Sequence, residues 1–227
     1  MSVQQRVEEA VERIVGTPVR VVGAGRTDAG VHAEGQVAHL RLDRRVDVRS
    51  LLGGANHYLP DDIRVLEVTR ACPDFHARGW AAAKEYRYRL SRAPVLQPAI
   101  AATTVRVDEQ IDVARLRAAA AHVPGHHDFS AFAKSGGSHS QPWRRVFRFE
   151  VSEEGAEVVF RCVGDGFLRG MVRALVGTLL WVAQGRLGVA DVATLLEGGS
   201  RVEAGPSAPA KGLCLVRVFY PGDPGWN

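Results

Sequence analysis

With 227 residues, 46% of them hydrophobic and 24% charged, the chain has the profile of a soluble globular protein and enough apolar material for one large domain or two small ones. Lys and Arg outnumber Asp and Glu by 29 to 25, and the resulting +4 suits a polyanionic partner without demanding one; arginine supplies almost all of the excess. Cys72, Cys162 and Cys214 are odd in number and lack C-x-x-C spacing, which argues against a disulfide framework and a structural zinc site and points to reduced thiols in the cytoplasm.

In chain order, Met1 to Arg6 is polar and carries no signal-peptide pattern. Val3, Val7, Val11, Ile14 and Val15 recur at helical spacing, and Gly16-Thr17-Pro18 stops that amphipathic helix. Val19–Val22 and Gln36–Leu42 read as strands joined by a glycine-rich loop, Val48–Tyr58 as a helix, and Ile63–Val68 as a strand. Lys84–Leu90 alternates strictly, with Tyr86, Tyr88 and Leu90 on one face and Glu85, Arg87 and Arg89 on the other. Tyr88 reads as core-lining with its hydroxyl satisfied.

Pro94 and Pro98 mark the best boundary between halves, giving units 1–92 and 93–227, the first carrying the glycine loop. Beyond it come a helix at Val113–His122, an aperiodic Ser/Gly/His loop at Lys134–Gln141, and a hairpin of Trp143–Val151 with Glu157–Val163. Helices at Phe167–Gln184 and Val189–Leu196 and a strand at Leu213–Tyr220 close the chain. The longest apolar run, Met171 to Val182, is interrupted by Arg173 and is too short to span a bilayer, so no membrane is expected. Strands interleaved with two helices in each half give an α+β class, two similar units sharing a sheet, although no sequence repeat supports duplication.

The loop Gly23-Ala24-Gly25-Arg26-Thr27-Asp28-Ala29-Gly30-Val31-His32 holds one carboxylate between an arginine and a histidine. Its third glycine falls too late for a dinucleotide fingerprint, and G-K-[ST] is absent, so neither phosphate loop fits. Glycines that permit positive φ can bring Asp28 and Arg26 together at the mouth of a sheet, and from spacing alone a solvated turn is an equally good reading.

The run GAGRTDAGVHA-x-GQVAH resembles the signature of the TruA family of RNA pseudouridine synthases. Further segments resemble that family in the same order: Asn56-x-x-Leu59-Pro60-x-Asp62-Ile63, Phe75-His76-Ala77-Arg78, Tyr86-Arg87-Tyr88 and His127-Asp128-Phe129-Ser130-x-Phe132. Pro142-Trp143-Arg144, the Gly166 to Thr178 segment and Gly212-Leu213-x-Leu215-Val216 extend the likeness over nearly the whole chain.

That resemblance implies a fold of two similar α/β subdomains sharing an extended, mostly antiparallel sheet, with helices on one face and a basic cleft between the halves. It implies isomerisation of uridine to pseudouridine in the tRNA anticodon stem-loop, at positions 38–40, by a homodimer, with Asp28 as the catalytic carboxylate. The N1 glycosidic bond breaks, the base turns, and C5 joins C1′. No redox change occurs, so no cofactor or metal is required. A carboxylate working inside a cleft needs a guanidinium beside it to offset desolvation. Arg173 stands in an otherwise apolar helical segment; on residue pattern alone it snorkels or binds a structural carboxylate, whereas the resemblance implies an ion pair with Asp28. Tyr86 matches the family tyrosine that packs on the uracil ring.

Substrate-binding candidates follow. Arg26 can fill the space of the extruded base or bind a phosphate, Arg78 looks like a backbone contact, and Arg144, Arg145 and Arg148 form either a basic patch or an ordinary solvated strand face. His32, His76, His126, His127 and His139 read as hydrogen-bonding or phosphate-facing groups, because none has metal-ligand spacing. Arg169-Gly170 stands where the family has a histidine pair, which adds Arg169 to the candidates; Ser140 replaces an arginine, Asp165 an asparagine, and Gly79-Trp80 a Phe-Ser pair. The family usually opens with a strand carrying Tyr-Asp-Gly…Gly-Trp-Gln, and this sequence begins at the helix after it. A kept trio of Asp28, Tyr86 and Arg173 beside an altered rim also suits an isomerase of a free uridine nucleotide in C-nucleoside biosynthesis. A catalytically idle RNA-binding module is the third reading.

Overall fold

The first helix is set by its ends as much as by its apolar stripe. In the computed structural model, which describes residues 1–108, 110–134, 136 and 141–225, the Ser2 hydroxyl accepts a hydrogen bond from the Gln5 backbone N–H at 3.2 Å where α1 (Val3–Val15) begins. The chain continues through β1 (Val22–Gly23), β2 (His32–Ala33), β3 (Ala38–His39), α2 (Val48–Tyr58), β4 (Ala83–Ser91), α3 (Pro98–Ala101) and β5 (Val105–Arg106). Next come α4 (Val113–Ala120), β6 (Gly125–Asp128), β7 (Trp143–Glu154), β8 (Glu157–Gly164), α5 (Met171–Ala183), α6 (Asp191–Leu195) and β9 (Leu213–Phe219). None of the described helices is long and apolar enough to cross a membrane.

Two compact units divide this order: Met1–Arg26 with Gln36–Trp80, and Thr27–Gly35 with Ala81–Asn227. The boundary expected at 92/93 lies just behind β4, inside the second unit, because β4 is hydrogen-bonded on one side to β8 and on the other to β9.

In the first unit α1 packs on α2, whose start is capped by the Asp47 carboxylate accepting from Ser50 N at 2.8 Å. Val11, Val15 and Leu51 form the core there, walled by Val7, Ile14, Val19, Leu40, Leu42, Val46 and Val68. β1 pairs antiparallel with β3, Val22 opposite His39. The strands expected here are shorter than the apolar runs that suggested them. Val21 N is taken by the Glu8 carboxylate at 2.9 Å, which ends the ladder early. Ile63–Val68 forms no strand: the Asn56 side chain donates to Val65 O at 2.7 Å and accepts from Val65 N at 2.8 Å, satisfying the groups a neighbouring strand would have used.

The second unit is built on a seven-stranded mixed sheet in the order β2-β9-β4-β8-β7-β6, with β5 also on β4. The β2–β9 and β4–β5 pairs are parallel and the others antiparallel. β4 realises its alternation: Tyr88 and Leu90 are fully buried, while Glu85, Arg87 and Arg89 on the other face are half-buried. Phe160 meets Tyr88 edge to face at 6.5 Å. α5 is apolar almost all round and nearly all buried, as its composition requires. It starts at Met171 rather than Phe167 because Gly170 has φ 73°, a left-handed conformation no right-handed helix can contain. All three cysteines are free; Cys162 and Cys214 are buried and Cys72 is exposed.

Candidate active site

The segment Thr27–Gly35 belongs to the second unit and is stitched to its sheet by β2, with His32 opposite Cys214 and Ala33 opposite Leu215 on β9. Glu34 N donates to Leu215 O at 2.8 Å, and the Glu34 carboxylate pairs with Arg87 of β4. Upstream of that anchor the chain turns tightly: Val31 N donates to Asp28 O at 3.0 Å, with Gly30 at φ 78° inside the turn. A side chain at that φ would be strained, so the glycine lets Asp28 reverse direction four residues before the strand.

Arg173, the third residue of α5, meets the carboxylate. Its Nη1 donates to Asp28 Oδ2 at 3.1 Å and its Nε donates to Ala208 O at 2.7 Å, so one edge of the guanidinium is held by backbone and another presents charge to Asp28. The pair is partly buried, with 13% of the Arg173 and 28% of the Asp28 side chain exposed. That burial strengthens the attraction over a surface pair and leaves one face of the carboxylate open to a substrate.

Tyr86 stands on β4 beside β9, buried, with its ring edge to face with Phe167 at 5.1 Å. Burial, then the Cys162 thiol and the negative charge of Asp28, pushes its phenol up to about 12. Near neutral pH the ring is an uncharged surface with a hydroxyl donor, and it cannot serve as a base.

The other sequence-derived candidates are placed as follows. His32 is half-buried and its Nε2 lies 3.0 Å from Ala102 O, a tether for the loop. Arg144 is turned onto Gln141 O at 3.0 Å and onto Trp143 O. Arg169 is exposed and lines a shallow basic concavity with Ala133, Lys134 and Arg201. Arg145 is exposed and Arg148 pairs with Glu150 at 3.6 Å. Arg26 and Arg78 are exposed residues of the first unit; beside Arg78, the His76 ring nitrogen accepts from the backbone N–H groups of Arg78 and Gly79 at 3.2 and 3.0 Å. His139 and Ser140, with most of the loop expected at Lys134–Gln141, lie outside the described residues.

One participant escaped sequence reasoning, the Ala208 carbonyl. Backbone groups leave no signature in residue type, and only the Gly-Pro-Ser-Ala-Pro composition of 205–209 hints at an ordered strap. Gly177, in the middle of α5, holds that strap close: a Cβ there would lie 1.7 Å from Pro206 O. Gly205 N donates to the Thr178 hydroxyl at 3.0 Å, and Ala208 N to Arg173 O at 2.9 Å.

A carboxylate paired with a clamped guanidinium, next to a neutral aromatic ring, is equipped for attack on or deprotonation of a substrate that stacks. Residues 119–221 match a family model described as tRNA pseudouridine synthase, which together with this fold makes the protein a pseudouridine synthase, an isomerase. The relationship extends over nearly the full length of the chain. It is 42% identical over 220 residues to tRNA pseudouridine synthase A of Pelobacter propionicus, covering 97% of this chain and 90% of that protein. It is 41% identical to that of Syntrophotalea carbinolica (97% and 87% covered) and 43% identical over 224 residues to that of Methylobacterium nodulans (97% and 87%). The chain belongs to the tRNA pseudouridine synthase A family.

Proposed function

We propose that the protein converts uridine to pseudouridine in the anticodon stem-loop of tRNA, at positions 38–40, with Asp28 as the catalytic carboxylate. The observation that carries this reading is the 3.1 Å ion pair between Asp28 and an Arg173 whose Nε is anchored on Ala208 O. tRNA as substrate is supported by the relatives, each of which bears the name tRNA pseudouridine synthase A. Homodimeric assembly and a cytoplasmic location are supported by the family resemblance alone.

In this mechanism Asp28 starts the reaction by adding to C1′ or by taking the C2′ proton, and the N1–C1′ bond breaks. Arg173 pairs with the carboxylate and aims it while substrate excludes water. The freed uracil turns against the Tyr86 ring and C5 bonds to C1′; on the addition route this breaks the Asp28–C1′ bond and frees the carboxylate, and on the elimination route C2′ regains the proton held by Asp28. The C5 proton leaves and N1 gains one, so the product is an isomer of the substrate. Arg26, Arg78, Arg144 and Arg169 are assigned to phosphate or to the space of the extruded base. His32 acts by tying down the loop, given its bond to Ala102 O.

Asp28→Asn tests the assignment. The variant should fold and bind unmodified tRNA like the parent while pseudouridine formation falls on the order of 10³-fold or more. Unchanged turnover would remove Asp28 from the mechanism.

A further inference from the structure

Arg173 can aim at Asp28 only as well as Ala208 O is placed, and that carbonyl sits on a strap, 204–209, tied at both ends. One tie is α5, through Gly177, Thr178 and Arg173 itself. The other is β4: the Tyr88 hydroxyl donates to Pro209 O at 2.8 Å, one residue beyond the carbonyl that accepts from Arg173. Tyr88 is fully buried, and its ring fills space that exists because residue 212 is glycine, where a Cβ would come within 2.6 Å of Cζ. Burial pushes the Tyr88 phenol well up, the Arg173 charge pulling the other way, so it remains an O–H donor across the working pH range.

We infer that Tyr88 is a positioning residue for the isomerisation, acting through Pro209 and Ala208 on the orientation of the Arg173 guanidinium. It rests on the reading of Asp28 and Arg173 given above. Without the hydroxyl, Pro209 O loses a buried donor and the strap gains freedom where it sets the Arg173 Nε contact. A small displacement of a group that must be aligned in the transition state lowers turnover, whereas tRNA binding, spread over many phosphate contacts, is unaffected.

The experiment is Tyr88→Phe, assayed on unmodified tRNA with Asp28→Asn and Val158→Ala in parallel. Val158→Ala deletes two methyl groups of a fully buried side chain opposite Leu90 in the same sheet and reports general destabilisation. Tyr88→Phe should lower kcat about tenfold with KM for tRNA unchanged, and the Arg173 Nε–H, assigned by its disappearance in Arg173→Lys, should exchange with solvent faster by a similar factor. Val158→Ala should keep kcat. Full kcat in folded Tyr88→Phe, unaltered Nε–H exchange, or an equal kcat loss in Val158→Ala would each overturn the inference. An inactive Asp28→Asn beside a fully active Tyr88→Phe would overturn this inference alone, and an active Asp28→Asn would overturn the reading beneath it as well.

Discussion

Arg173 makes two different demands on one side chain: a fixed Nε on Ala208 O and a free-edged Nη1 on Asp28. Lysine keeps the charge and loses the fork, so Arg173→Lys should retain tRNA binding while kcat falls about 100-fold, read by steady-state kinetics; a variant within twofold of the parent would mean that charge alone suffices. Tyr86 gives a pH prediction. Its ionisation is raised from 10.0 to about 12, so the folded state holds a proton that the unfolded chain releases above pH 10. This contribution to stability is complete below pH 10 and is lost as pH rises toward 12. Alkaline unfolding should therefore set in at a higher pH when Tyr86 is replaced by Phe than in the parent, as followed by circular dichroism. An unchanged onset would contradict the assignment of the raised ionisation to Tyr86.

Among the elements, α5 does most to place the site, because it carries Arg173 in its first turn and Gly177 one turn later. Gly177→Ala would drive a methyl into Pro206 O, so the strap must move or the helix must shift. Overpacking of this kind costs about 1–3 kcal/mol, and both Tm and kcat should drop, whereas Gly53→Ala on α2, where a Cβ meets nothing within 4 Å, should leave kcat unchanged and raise Tm slightly through helix propensity. Local structure was legible where one physical pattern dominates. The two faces of β4, the C-terminal end of α1 and the β7–β8 hairpin all emerge from periodicity and turn residues. It failed at Ile63–Val68, where the Asn56 side chain took over the role of a neighbouring strand, and at the start of α5, where Gly170 intervenes. The pairing of Asp28 with Arg173 spans 145 residues. No local pattern contains it, and residue types alone left Arg173 as readily snorkelled as paired. The resemblance to a known family pointed to the partner, and the folded chain shows the contact. Ala208 O was legible in neither.

At the scale of the whole molecule, a +4 chain rich in arginine is suited to a polyanion without being strongly committed to one. Exposed Arg26, Arg78, Arg145 and Arg169 are free of ion pairs among the described residues, which suits them to the phosphate contacts that the proposed function requires. Binding of tRNA should weaken steeply with salt, and charge-reversing substitutions at two of these arginines should flatten the slope of log K against log salt by about 0.7–0.9 for each phosphate no longer neutralised. A slope unchanged by such substitutions would move the RNA to another face. The most direct measurement is a product assay. Purified protein is given unmodified tRNA in one reaction and UMP in another, and the nucleosides are resolved by chromatography and mass spectrometry. The account predicts pseudouridine from tRNA, mapped to the anticodon stem-loop, and none from UMP; pseudouridine from the free nucleotide, or from neither, would contradict it.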